Sequence, residues 1–204
     1  MKRTRVTTVT TPASKYKKTS KKAVLYKTPK DSVRLYKRHS DYFTIPVNNL
    51  TGAFGVITFQ LSSVPGSAEF TSMYDQYKIN AVSVCMYPKQ TSVNSLIAAD
   101  NIRANARILT AIDYTDDSVP TTYDQLREYE ACEVDVIINK HERYIPKPLF
   151  LNNSGQSVNA WVSTQNPNTR FYSLKYAIEP PQASSGSFTY TVEVVYYLAF
   201  KNVK

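Results

Sequence analysis

The chain has 204 residues, 42% of them hydrophobic, with five Gly and sixteen Tyr. It is long and apolar enough to bury a real core as one domain, and its composition is not that of a disordered or low-complexity chain. The formal net charge is +9. No run of eighteen apolar residues offers a membrane span, so membrane insertion is not expected, and the polar, charged start lacks the apolar stretch of a secretory signal.

The charge is unevenly placed. Residues 1–40 hold thirteen Lys or Arg and one acid, Asp31, a net +12, whereas residues 41–204 hold twelve bases and fifteen acids, a net −3. The bases are Lys2, Arg3, Arg5, Lys15, Lys17, Lys18, Lys21, Lys22, Lys27, Lys30, Arg34, Lys37 and Arg38. The opening stretch MKRTRVTTVTTPASKYKKTSKK shows neither helical nor strand periodicity. It buries too little apolar surface to offset its ordering entropy, so residues 1–40 are expected to form a largely disordered arm. A block of basic charge at a terminus suits nucleic acid, which makes all thirteen bases candidate contacts. A solvated tail is the plain alternative. An anionic membrane surface fits poorly, because the arm has no Leu/Phe/Trp face. Tyr16, Tyr26 and Tyr36 are interleaved with the bases and could stack on unpaired nucleotides. Tyr26 and Tyr36 could equally pin the arm to the body beside Val24, Leu25, Val33 and Leu35. The run from Lys15 to Lys22 loosely matches a nuclear localisation signal.

From residue 41 the pattern turns to strands separated by turn chemistry. DYFTIPV (41–47) reads as a first strand. GVITFQLSSV (55–64) alternates, with Ile57, Phe59 and Leu61 on one face. In EFTSMYDQYKINAVSVCMYP (69–88), Phe70, Met73, Tyr74 and Tyr77 fall at helical spacing, and 77–88 then reads as a central strand apolar on both faces. ARILTAIDY (106–114) and CEVDVIIN (132–139) follow, the latter alternating Val134, Val136 and Ile138 with Glu133, Asp135 and Ile137. RYIPKPLF (143–150) is an edge strand at best, since Pro146 and Pro148 cannot donate to a ladder. FYSLKYAIE (171–179) sets Tyr172, Leu174, Tyr176 and Ile178 on one side. In SFTYTVEVVYYLAFK, Phe188, Tyr190, Val192, Val194, Tyr196, Leu198 and Phe200 keep strict period two. Helical pattern is confined to about 69–76 and 121–129. Eight strands with long connections and no crossover helices predict an all-β, two-sheet antiparallel jelly roll over 41–204.

Catalytic chemistry finds little support. His39 and His141 are too few for a zinc site without other ligands, and His141 sits in NKHERY, which reads as a surface turn. Phosphate loops, nucleophile elbows and HExxH are absent. Asp113, Asp116 and Asp117 in AIDYTDDSVP could hold a cation, act as acid and base, or make ordinary turns; the turn reading needs least, and no metal or cofactor is expected. Cys85 and Cys132 lie in apolar stretches and read as small buried hydrophobes, with a disulfide between them left open. The polar loop 151–170 surrounds Trp161, the single tryptophan, which could contact a receptor, a neighbouring subunit or its own loop.

Taken together, the arm (1–38), the block 69–88, the Asp-rich segment TAIDYTDDSVPTTYDQLREYEACEVDV (110–136) and the terminal YYLAFK (196–201) resemble the capsid proteins of circoviruses and related viruses with small circular single-stranded DNA genomes. The arm departs from the family in being short and Lys-rich, nine Lys to four Arg. Lysine attracts phosphate as a point charge without the guanidinium fork, which favours charge neutralisation over base reading. The resemblance implies a 60-subunit T=1 shell, arms turned inward onto the single-stranded DNA genome, entry to the host nucleus through import machinery, and receptor contact through outer loops. It implies residence in the virion and, during assembly, in the host nucleus. Removing residues 2–38 is then expected to leave the β body folded. The rival readings are a coat protein of a small RNA or satellite virus, a non-viral nucleic-acid-binding β domain, and a lectin-like jelly roll.

Overall fold

The computed structural model describes residues 33–40, 43–48, 50–89, 106–152, 154–180 and 188–204. Among these, the elements in chain order are β1 Arg34–His39, β2 Phe43–Val47, β3 Ala53–Phe59, α1 Ser67–Met73, β4 Tyr74–Pro88, β5 Arg107–Ile112, α2 Tyr123–Arg127, β6 Glu133–Val136, β7 His141–Pro146, β8 Phe150–Leu151, β9 Ser157–Val158, β10 Val162–Ser163, β11 Phe171–Ile178 and β12 Phe188–Val203. The eight strands expected from sequence correspond to β2 to β7, β11 and β12. The arm's last residues, Arg34–His39, also join the sheet as β1, and the loop 151–170 holds the small β8–β9 hairpin and β10.

Two antiparallel sheets face each other. In the first, β12 and β4 run side by side; β1 and β2 share the far edge of β12, and β7 and β10 share the far edge of β4. The second sheet runs β3–β11–β5–β6. Counting only the eight principal strands, the sheets read first–eighth–third–sixth and second–seventh–fourth–fifth, so consecutive strands repeatedly cross between sheets. This is the jelly-roll arrangement.

The period-two pattern of β12 holds along its length: Tyr190, Val192, Val194, Tyr196, Leu198 and Phe200 are all buried between the sheets. The side chain of Phe188 lies outside the described residues. Its partner β4 does not keep one parity. Tyr77 and Ile79 point inward, and so do Val82, Val84 and Met86, because the register slips by one residue opposite Tyr197 and Leu198. An extra residue at such a bulge moves the apolar set to the other parity, which explains why the segment looks apolar on both faces. A second irregularity in β11, between Phe171 and Leu174, buries both of those residues and turns Tyr172 off the core face.

Helix α1 is shorter than its apolar spacing suggests. It ends at Met73, which is exposed, and Tyr74 and Tyr77 belong to β4. Gly66 caps its start in the left-handed region at φ 75°, a conformation glycine adopts without a Cβ penalty. Its single buried residue, Phe70, stacks on Phe200 with ring centroids 4.8 Å apart, and Tyr36 and Tyr74 complete the cluster with a 2.8 Å bond between their hydroxyls.

Three expectations are corrected. Leu61 is buried, but in a 3-10 turn at Leu61–Ser63 and not in a strand. In the 132–139 segment the core residue is Ile137, whereas Val134 and Ile138 are about half exposed. Asp135 takes the inward parity at β6, opposite Ile108, because it serves His141. His141 is no surface residue: it is 4% exposed, with Nε2 2.6 Å from Thr110 Oγ1 and Nδ1 3.9 Å from Asp135. Burial pushes its pKa below the usual value, and the Arg143 charge adds to the shift.

Helix α2 covers the outer face of the second sheet, where Leu126 packs on Leu109, Ala111 and Ala177. Beside this patch lies an ion cluster in which Lys175 and Asp113 are buried and Asp116 reaches the surface. The Lys175 ammonium is 2.8 Å from Asp113, 2.7 Å from Asp116, 3.1 Å from Ser118 Oγ and 3.2 Å from the Tyr129 hydroxyl. Asp113 also accepts from the Thr115 amide and from the Tyr129 hydroxyl. Burial alone would raise the Asp113 carboxyl, but Lys175, Thr115 and Tyr129 outweigh it and hold it at about 2.

Two consequences can be measured by denaturant unfolding. Phe70→Ala should cost about 3 kcal/mol, while Met73→Ala should cost well under about 1 kcal/mol, since only the former leaves a cavity. Lys175→Met should cost about 3 kcal/mol at pH 7 by stranding the buried Asp113 carboxylate. Asp113 is depressed from about 3.9 in the unfolded chain, so the stability it contributes is present above that value and is lost as pH falls toward about 2. The gap between wild type and Lys175→Met should therefore narrow from pH 4 to pH 2. A gap constant across that range would remove the cluster from the stability balance.

Candidate nucleic-acid interface

Of the candidate contacts, Lys2, Arg3, Arg5, Lys15, Lys17, Lys18, Lys21, Lys22, Lys27 and Lys30, with Tyr16 and Tyr26, lie outside the described residues. Arg34, Tyr36, Lys37 and Arg38 lie on β1, which is hydrogen-bonded along β12 from Arg34 opposite Phe200 to His39 opposite Val195. Strand alternation divides them between two faces. Tyr36 turns toward the core and joins Phe70, Tyr74 and Phe200, so it anchors the arm's end to the body. The Arg38 guanidinium lies 5.2 Å from the Phe70 ring centroid and 5.6 Å from that of Tyr36. Lys37 points to the opposite, outer face, with its ammonium 5.6 Å from the Tyr197 ring centroid.

Asp113 and Asp116 face a cation supplied by the chain itself, the Lys175 ammonium, and Asp117 faces Arg170 at 3.5 Å. Asp113 and Asp116 also close local turns, through the amides of Thr115 and Ser118. No group of three or more His, Cys, Asp or Glu arranged to hold a metal occurs among the described residues. Cys85 and Cys132 are free, half-buried thiols, both raised above the usual thiol value by burial.

Trp161 is half-buried just before β10, and the Lys201 ammonium sits 4.6 Å from its ring centroid. Neither Lys175 nor Lys201 stood out in the sequence. Lys175 is a lone base in a strand that otherwise reads as apolar, and its acidic partners lie about sixty residues earlier, so local sequence gave only a weak signal. Lys201 and Trp161 lie forty residues apart, and only the pairing of β10 and β12 with β4 brings them together. Among the described residues no helix is long and apolar enough to cross a membrane.

The comparisons with known proteins agree with this architecture. The fold superposes on the 60-mer BFDV capsid protein with a TM-score of 0.60 at 17% identity, covering 85% of this chain and 95% of that one. The decameric BFDV capsid protein gives 0.57 at 17% identity, over 83% and 99% of the two chains. Mud crab tombus-like virus gives 0.57 at 14% identity, over 85% and 90%. At these identities the likeness is one of fold. No curated protein sequence matches the chain. A family model described as circovirus capsid protein matches residues 25–204, from within the basic arm to the end of β12. A jelly roll carrying a basic arm, with that match over most of its length, places this chain in the circovirus capsid protein family.

Proposed function

We propose that sixty copies of this capsid protein close into a small icosahedral shell and package single-stranded DNA through their arms. The observation that carries this reading is the charge partition: a net +12 in residues 1–40 joined to a body of net −3. A mildly acidic shell with basic arms concentrates positive charge where the arms gather, and phosphate is the partner such charge attracts. Sixty arms would bring roughly seven hundred positive charges, enough for a similar number of phosphates. A related capsid protein has been crystallised as a 60-mer, which supports the closed assembly.

The body offers lateral contacts. Val134 on β6, Ile138 just after it, and Leu50, Val119 and Leu151 are large apolar side chains left exposed in the isolated subunit. Exposed apolar groups beside a strand edge, here that of β6, which has no further partner among the described residues, are a liability in a monomer and suit burial against a neighbouring copy. The run from Lys15 to Lys22 would also serve nuclear import before assembly, and the outer loops would meet a host receptor.

The strand β1 changes where the arm can be cut. Residues 2–32 can be removed without touching a described element, whereas a deletion through residue 38 removes β1 and the Tyr36 anchor. Deleting 2–32 should leave cooperative unfolding unchanged and abolish nuclease-protected DNA in purified particles. Deleting 2–38 should in addition lower stability by about 2–4 kcal/mol, the scale of a lost core aromatic. Full-length protected DNA in particles of the shorter deletion would sink the packaging role.

A further inference from the structure

Over half its extent, the outer face of the β1–β12–β4–β7 sheet carries basic and aromatic side chains and no acid among the described residues. The register places Lys37, Tyr197, Ala81 and Pro146 in one row across four strands. The next row toward the start of β1 holds Leu35, Ala199 and Lys78, and the row beyond pairs Lys201 with Gln76 and Ser163. Lys37, Lys78 and Lys201 thus span about 13 Å of sheet, four residues along β12. None of the three has a carboxylate within 4 Å among the described residues. The nearest acids on this face, Glu193 and Glu142, lie in the row of Cys85, and Glu142 is already paired with Lys140 at 2.9 Å. Lys78 and Lys201, in a body of net −3, and Lys37, at the arm's end, form a marked local field with no acid in their rows among the described residues.

The aromatics are placed to serve it. Tyr144 is 59% exposed, lies opposite Ser83 and stands edge-on to Tyr197, with centroids 6.3 Å apart. Tyr197 and Trp161 hold the ammonium groups of Lys37 and Lys201 over their rings. The chain that becomes the basic arm leaves β1 at Arg34, opposite Phe200, beside Lys201. Nucleic acid held by the arm therefore arrives at the basic end of this face.

We propose that this face binds unpaired nucleotides directly, with a base stacked on Tyr144 and phosphates on Lys37, Lys78 and Lys201. This rests on the packaging reading and adds a site on the folded body to the contacts of the arm. Stacking on one tyrosine and three phosphate contacts suits single-stranded nucleic acid, because every base has a π face and no base edge is read.

The test titrates the full chain with an oligothymidylate of about twenty residues. Tyr144→Ala should weaken binding about tenfold. Replacing Lys37, Lys78 and Lys201 together by Gln should reduce the log–log salt slope by about 2, at about 0.7 per phosphate on a single strand. Tyr87→Ala, on the far half of the same face, should change nothing. Trp161 is the only tryptophan, so its emission reports on the body alone. It should be quenched at saturation in the wild-type chain, and also in a variant with Lys15, Lys17, Lys18, Lys21 and Lys22 changed to Gln. If the face variants bind like wild type while the arm variant loses affinity, the site on the body is wrong and the packaging reading stands. If neither set changes affinity, both fall. A shift of Trp161 emission in the arm variant before any DNA is added would show that the arm itself covers this face, which also overturns the proposal.

Discussion

The antiparallel pairing of β12 with β4 is the interaction on which the rest of the subunit hangs. It runs from Tyr190 opposite Pro88 to Val203 opposite Tyr74. Its one-residue slip decides which side chains reach the core, and a different register would turn Tyr196, Leu198 and Phe200 toward solvent. Because β12 spends one edge on β4, its other edge is free to receive β2 and then β1. The end of the arm is thereby tied to the middle of the fold.

That tether gives the charge partition a mechanical meaning. The arm's bases do not leave the body at an arbitrary point; the chain emerges where β1 begins, over the cluster of Tyr36, Phe70, Tyr74 and Phe200. The block 69–88 is the other half of the same cluster. Its helix brings Phe70 down onto Phe200, and its strand supplies the central pairing. In this subunit one aromatic knot joins the folded wall to the chain that carries the basic charge. The body keeps its own charges quiet: the Lys175 ammonium neutralises Asp113 and Asp116 internally.

Much of this was legible in the sequence. The period-two run of β12, the turn-bounded strands and the charge step at residue 40 all come from local composition, and local composition reports the fold class directly. What was hidden depends on distant pairing. The bulge in β4 makes residues 77–88 look evenly apolar, because two parities are each correct over half the strand. The strand character of Arg34–His39 was masked by three bases, whose side chains alternate to either side of an edge strand where charge is tolerated. His141 read as surface because its partners, Thr110 and Asp135, lie elsewhere in the chain. The Asp-rich segment read as ordinary turns with a cation as the alternative; it does close turns at Thr115 and Ser118, and the cation beside it is Lys175, fifty-nine residues beyond Asp116.

The central claim is that the basic arm gathers nucleic acid by charge and not by sequence. The most direct measurement is the affinity of the full chain for single-stranded oligodeoxynucleotides of unrelated sequence, across a range of salt concentrations. With arm lysines and arginines engaged on phosphates, log affinity should fall steeply with log salt, by about 0.7 for each contact. The sequences should be indistinguishable. A shallow salt dependence, or strong preference for one sequence, would contradict it.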